Sequence, residues 1–325
     1  MDIKSEIIRV LKANSRDFTS GEKMSAKFGL SRAALWKHIS RIRQEGYVIE
    51  SYPRRGYRLT SVPDRLSAAE IRDGLGTRVI GRGEIHVFAE VPSTNKTACA
   101  FSEKGAPEGT LVTAESQSRG RGRMGRIWES PPGGGLYFSI VLRPDMSVDR
   151  MPGFTLVAAS AVAKAVNKAC GLSCRVKWPN DIFAGGGKIC GILVETRAHS
   201  DLTDFIVLGV GINVNTPGSK LPENAASIME VSGRKTDRTA LLRRVLEELE
   251  NAYFVFAEKG FPAFLNESRR LSLTLGREVS VDMRGKIVSG EAFDLDERGA
   301  LLVRTPDKKV HVIFSGDVSG GAGGS

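Results

Sequence analysis

Residues 115–128 read E-S-Q-S-R-G-R-G-R-M-G-R-I-W, and E-S-P-P-G-G-G follows at 129–135. The proline–glycine run cannot be a helix, and apolar stretches at 110–114 and 136–142 flank the whole segment. It therefore reads as a long loop inside a folded domain and not as a basic tail. Gly120, Gly122 and Gly125 alternate with Arg119, Arg121, Arg123 and Arg126. Glycine lets a backbone approach a ligand closely, and arginine presents a fixed fork of donors to carboxylate or phosphate. Such a loop suits an anionic substrate and is expected to be mobile when empty. The three glycines also satisfy G-x-G-x-x-G, but that fingerprint must open a helix directly after a strand. The residues that follow exclude it.

The 325 residues allow two or three domains. Their 41% hydrophobic and 26% charged content is that of a soluble globular chain. The longest apolar run, 154–163, falls well short of a membrane span. The first residues, M-D-I-K-S-E, carry no signal-peptide pattern. Four cysteines (Cys99, Cys170, Cys174, Cys190) form no C-x-x-C pair, so neither structural zinc nor a disulfide framework is expected. These features together predict a cytoplasmic protein with reduced thiols and no membrane partner.

Charge is unevenly placed. Residues 1–62 hold 13 Lys and Arg against 6 Asp and Glu, most of the net charge of +10. Apolar spacing predicts three helices there. In the third, Leu35, Ile39 and Ile42 repeat at i, i+4 and i+7 and face the core. Ser31 caps it, and Ser31, Arg32, Trp36, Lys37 and Arg41 are left on the outer side. Two short strands around S-Y-P-R-R then make a wing tipped by Arg54 and Arg55. Helix, turn, helix and basic wing compose a winged helix-turn-helix, so DNA is the expected partner.

The rest of the chain reads as mixed α/β. A linker at 62–65 leads to a helix from Ser67 to Leu75, a strand over 85–91 and a polar turn, P-S-T-N, into a helix. A strand over 136–142 and a long helix over 152–170 follow. In R-V-K-W-P-N-D-I, residues 175–182, a strand ends at Pro179 and leaves Asn180 and Asp181 in a break. The G-G-G-K run at 185–188 opens a strand over 189–194. It is no Walker A loop, which would need glycine at Ile182 and Ser or Thr at Ile189. A strand over 205–214 and a helix over 239–259 close this part. From 275 onward short strands and glycine turns predict an SH3-like β-barrel. The expected domains are 1–62, 63–274 and 275–318, with a flexible tail at 319–325.

Several motifs recur together: S-R-A-A-x-x-K-H-I at 31–39, Ser93-Thr-Asn95, Gln117 with G-R-G-R-x-G-R, K-W-P-N-D at 177–181 and G-K-x-x-G-I-L-V-E at 187–195. On these the sequence resembles the bifunctional biotin–protein ligases that are also biotin-operon repressors, over essentially its whole length. The resemblance implies an α+β multidomain protein with a class II synthetase-like ligase domain between the winged helix and the barrel. It implies biotin and ATP as substrates with Mg²⁺, and a biotinyl-5′-adenylate intermediate. The acceptor is a lysine of a biotin carboxyl carrier protein, as in acetyl-CoA carboxylase. It further implies operator DNA and a homodimer formed on biotinyl-AMP.

By the same resemblance, Ser93, Thr94, Asn95, Gln117, Arg121, Gly122, Arg123, Lys188 and Gly191 are expected around biotin. Arg123, Arg126, Trp128, Asn180, Asp181, Lys188 and Asn213 are expected around ATP and the adenylate. Lys188, Arg123 and Asp181 would carry the chemistry, and no protein-held metal site is implied. A ligase whose N-terminal domain no longer regulates, a biotin-sensing regulator that does not ligate, and a lipoate ligase are the alternatives.

Overall fold

The computed structural model describes residues 3–199, 202–283 and 285–320. They fall into two units, 1–65 and 66–325.

In the first unit, helices α1 (Ile3–Ala13), α2 (Gly21–Phe28) and α3 (Arg32–Gln44) precede strands β1 (Val48–Tyr52) and β2 (Gly56–Ser61), which pair antiparallel. Ser20 and Ser31 cap α2 and α3 by accepting from Lys23 N and Ala34 N. Gly29 ends α2 at φ 62°, a conformation that glycine adopts without strain. Leu35, Ile39 and Ile42 face Ile7, Leu11, Met24 and Leu59 in a core of their own. The three helices and the wing thus form as their periodicity requires.

The second unit opens with α4 (Ala68–Arg72), β3 (Ile85–Val91), α5 (Thr94–Glu103), β4 (Leu111–Gln117) and β5 (Gly135–Leu142). Then come α6 (Met151–Cys170), β6 (Arg175–Lys177), β7 (Asp181–Ala184), β8 (Gly187–His199), β9 (Leu202–Asn213), α7 (Ile228–Ser232), α8 (Arg238–Lys259) and α9 (Leu265–Leu271). The last part holds β10 (Arg277–Met283), β11 (Lys286–Leu295), β12 (Leu301–Arg304), β13 (Val310–Ile313) and β14 (Asp317–Ser319). Helix α4 stops at Arg72, short of the expected Leu75, because the Asp73 backbone turns extended. Asp181 lies in no break: it opens β7 and pairs with Lys177 and Gly191.

A seven-stranded sheet in the order β3-β4-β5-β9-β8-β7-β6 forms the frame. Its central strands are buried on both faces, and alternate residues serve different layers. Phe138, Ile140, Leu208, Val210 and Ile212 meet α6 and α8 in the main core. Val112, Val141, Phe205 and Val207 on the opposite face join Ala98 of α5. The five-stranded antiparallel sheet, β13-β12-β11-β10-β14, shares the main core through Val281, Leu301 and Val303. Trp178 is buried and donates its indole N–H to Gly299 O at 3.1 Å.

Helix α8 is tied to the sheet by a buried charge. The Arg238 guanidinium donates to Glu115 Oε2 at 2.8 Å and to Gly135 O at 2.9 Å. Glu115 Oε1 accepts from Leu66 N at 2.9 Å. Arg238→Met leaves the Glu115 carboxylate in a largely closed environment without its cation. The expected loss is about 3–5 kcal/mol, read as a lower urea midpoint for the second unit; an unchanged midpoint would show the pair to be energetically idle.

Candidate functional site

A cleft of about 700 Å³, counting its open mouth, lies on the α5 face of the large sheet beyond the start of that helix. Its floor exists because three strand residues lack side chains. Gly209 and Gly211 alternate on β9, and Gly191 pairs with Gly211 across β8. A Cβ at Gly209 would overlap the Asn95 side chain, and one at Gly211 would overlap Trp128. At Gly191 it would come within 3.1 Å of the same indole.

The closed end of the cleft is lined by uncharged polar side chains that are bonded to one another and to the residues behind them. Ser93 caps α5, and Ser93, Thr94 and Asn95 are all buried. Gln117 Oε1 accepts from Thr94 N at 2.8 Å and Thr94 Oγ1 at 3.2 Å, while Gln117 Nε2 donates to Ser130 Oγ at 2.8 Å. Asn95 Oδ1 accepts from Ser139 Oγ at 2.6 Å. Asn95 Nδ2 donates to Leu193 O at 3.2 Å and Glu195 Oε2 at 2.8 Å.

The open end is cationic. The arginine loop is a small hairpin, closed by Gly122 N→Arg126 O at 2.8 Å and Trp128 N→Gly120 O at 3.0 Å. A Cβ at Gly120 would strike Trp128 O, so that strand crossing requires glycine. Three of the loop's four arginines are tethered in this structure. Arg121 meets Glu195 Oε1 at 2.9 Å, and Arg126 pairs with Asp317. Arg123 donates to Asn180 Oδ1 at 3.1 Å, Ser315 Oγ at 3.1 Å and Gly316 O at 3.4 Å. Burial lowers the Arg123 pKa, and the charges of Asp317 and Asp181 only partly offset that. The polar loop at 216–222 is likewise built around a short 3₁₀ turn, Gly218–Lys220, next to a buried Thr216.

Lys188 reaches the cleft through an irregularity in β8. Ile182 pairs with Cys190 but Phe183 pairs with Lys188, which leaves Ile189 as an extra residue. Such a bulge re-aims the neighbouring side chain, and it turns Lys188 to the same face as Gly191. The ammonium lies 2.8 Å from Asp181 Oδ1 and 5.2 Å from the centre of the Trp128 ring. Trp128 Nε1 is buried without a hydrogen-bond partner.

Nearly all the residues expected around a ligand line this one cleft, from Ser93–Asn95 and Gln117 through the loop to Asn180, Asp181, Lys188 and Gly191. Asn213 is the exception. It is buried at the end of β9, where Nδ2 donates to Ala226 O at 3.2 Å and Oδ1 has no partner. The sequence reading missed Glu195, Ser139, Ser315, Asp317 and the paired glycines 209 and 211. The G-x-G alternation within an apolar strand was the available signal for the last two.

In the first unit, Ser31, Arg32, Trp36, Lys37 and Arg41 are exposed along one side of α3, Trp36 by 57%. Arg54 and Arg55 are exposed at the wing tip, with Arg55 stacked 4.5 Å from the Phe18 ring centre. His38, on α3, is half-buried.

The chain matches the Biotin/lipoate A/B protein ligase family over residues 87–213. It matches an HTH domain over 4–58 and a Biotin protein ligase C terminal domain over 274–321. It is 37% identical to the Bifunctional ligase/repressor BirA of Bacillus spizizenii, over 97% of this chain and 98% of that one. A Biotin--[acetyl-CoA-carboxylase] ligase of Mycobacterium tuberculosis is 33% identical over 78% of this chain and 97% of its own. Among solved structures, the biotin protein ligase of Aquifex aeolicus in complex with biotin and ATP superposes with a TM-score of 0.64 at 31% identity. That match covers 73% of this chain and 98% of the Aquifex chain.

None of the thiols is poised for chemistry. All four cysteines are free. Burial, and then the charge of Glu195, pushes Cys99 up to about 11. Burial likewise lifts Cys174 to about 12, raises Cys170, and holds Cys190 far above its ordinary value. At about pH 8 the Cys99 thiolate fraction is then roughly one in a thousand. A chromogenic disulfide reagent should titrate the thiols slowly in the native chain and at once after denaturation, with Cys99, the one cysteine that is not buried, the first to react. Rapid native labelling of all four would contradict this packing.

Proposed function

The chain belongs to the bifunctional ligase/repressor family, and from that premise we propose that it is an ATP-dependent biotin–protein ligase that also represses transcription. The observation that carries the ligase reading is the polarity of the cleft. An uncharged donor–acceptor end suits biotin's ureido head, and a cationic end suits its carboxylate and the phosphates of ATP.

In the first step a biotin carboxylate oxygen attacks the α-phosphorus of ATP. A new P–O bond forms, the bond to the β-phosphate bridge breaks, and pyrophosphate leaves. Negative charge builds between Arg123 and Lys188, whose donors are already oriented by their protein partners. In the second step the ε-amine of a lysine on the carboxyl carrier protein attacks the acyl carbon. AMP leaves, and the nitrogen loses a proton. Asp181, beside Lys188, would accept that proton. No nucleophile of the protein itself is needed, so catalysis rests on positioning and charge stabilisation.

Mg²⁺ fits this donor set. Asp181 Oδ1 is buried and accepts no hydrogen bond of good geometry, with the Lys188 ammonium 2.8 Å away. Magnesium is commonly held by one or two carboxylates together with substrate phosphates. Asp181 would hold it here, with Asn180 adjacent, and when bound it neutralises phosphate charge. Asn213, with its unpartnered Oδ1 behind the Lys188 backbone, would act on the adenylate side after a local shift. Trp128 would wall the same region.

Lys188→Ala should reduce biotin-dependent ATP–pyrophosphate exchange by about 10²–10³-fold, the loss typical when one fixed transition-state donor is removed. Exchange near the wild-type rate would mean that the lysine has been given the wrong role. Lipoate as competitor separates this reading from a lipoate ligase: exchange supported by lipoate but not biotin would overturn it.

The repressor reading rests on the exposed basic face of α3 and its wing, a geometry suited to the major groove. One such unit makes too few contacts to select a single genomic site, so a symmetric dimer on two half-sites is expected. The acceptor reaction would consume biotinyl-adenylate while carrier is plentiful; once carrier is exhausted, the adenylate would persist and favour the dimer. Sedimentation with and without biotinyl-adenylate, followed by binding to an inverted-repeat operator, tests this. A ligand that changes neither association nor DNA affinity would remove the repressor half and leave the ligase half standing.

A further inference from the structure

Glu195 is a carboxylate that no catalytic step above uses, yet both its oxygens are engaged at the site. It lies on the cleft face of β8, two residues beyond Leu193, and pairs across the sheet with Val207. It does not line the cleft itself. Oε2 accepts from Asn95 Nδ2 at 2.8 Å, and Oε1 meets Arg121 Nη1 at 2.9 Å. Only a quarter of its side chain is exposed, against half for Arg121.

The two contacts serve opposite ends of the site. Asn95 could present its amide in either of two orientations. With Glu195 and Leu193 O accepting from Nδ2 and Ser139 donating to Oδ1, one orientation is fixed. Swapping oxygen and nitrogen would set an amide oxygen against the carboxylate. Arg121, by contrast, sits on a glycine-flanked hairpin whose backbone alone does not dictate where a long side chain points. An ion pair from β8 beside the cleft supplies that direction, and a partly buried carboxylate does so more strongly than an exposed one.

We infer that Glu195 is a positioning residue for recognition of biotin at both its ends: it sets the Asn95 amide beside the ureido head and, through the same carboxylate, holds Arg121 over the cleft for the biotin carboxylate. The inference rests on the ligase reading above. It acts on ground-state recognition of one substrate and leaves the phosphate chemistry at Lys188 alone.

The test uses the full chain and pyrophosphate exchange with biotin and ATP varied separately. Glu195→Gln keeps the size of the side chain and removes its charge. It should raise KM for biotin about tenfold, the scale of a lost charge-assisted hydrogen bond, with kcat and KM for ATP within about twofold. Glu195→Asp, which restores the charge on a shorter arm, should recover part of the affinity. Arg121→Ala should raise KM for biotin as well. Combining it with Glu195→Gln should add less than the product of the two effects, because they share one interaction. A fall in kcat and thermal midpoint without the KM split, or strictly multiplicative effects, would overturn the inference. Failure of the wild-type chain to exchange with biotin at all would instead sink the ligase reading on which it rests.

Discussion

Everything at the cleft depends on a buried guanidinium that is not in it. Arg238 bonds Glu115 in β4 and the Gly135 carbonyl at the start of β5, the two ends between which the arginine hairpin is strung. A loop of that length, rich in glycine, has many conformations available and a large entropy to lose. Fixing both ends on one rigid group shortens the span left to order. The hairpin's own backbone bonds, and the contacts of Arg123 and Arg126 with residues 315–317, complete the restraint. The small C-terminal sheet therefore contributes to the site although none of its residues was expected there.

The second constraint is electrostatic. Four cationic side chains converge on one cleft, and like charges at such range repel strongly where water is scarce. Three of them are held by carboxylates: Arg121 by Glu195, Arg126 by Asp317 and Lys188 by Asp181. Arg123 is held by neutral oxygens, and burial is what lowers its pKa. It is thus the one cation of the four with no direct carboxylate contact among the described residues. The paired cations remain oriented without being fully spent. An anionic ligand can share their donors while the carboxylates keep the empty cleft from flying apart.

This division of labour also explains what could be read from the sequence. Capped helices, the basic wing and the strands around the arginine run all follow from local pattern, because periodicity and cap chemistry are local. Ser93–Asn95, Gln117 and Lys188 were legible through their motifs. Ser139, Asp317 and the role of Glu195, which closes one of those motifs, were not, because each enters through a partner far along the chain that only sheet order and register bring close. The β8 bulge is another case: alternation alone would turn Lys188 and Gly191 to opposite faces, and one extra residue, Ile189, brings them together. Likewise α4 ends before Leu75 because the chain must turn toward residues 78–80, whose backbone N–H groups are gathered by Glu250 from α8.

Strand β9 shows how fold and site share a single run of residues. Glycine weakens a strand interior, by about 0.5–1 kcal/mol at each position relative to alanine. Two of them at 209 and 211 would make a poor edge strand. Here β5 and β8 flank β9 on either side, so its backbone hydrogen bonds are secured from both directions. The even positions, Ile206, Leu208, Val210 and Ile212, are buried against α6 and α8 and hold the strand in place. The odd positions are then free to change character along the strand. Phe205 and Val207 pack under α5, and Gly209 and Gly211 open the floor for a ligand. Because a shift of one residue would exchange these two sets, the register that buries the core is the same register that creates the cleft.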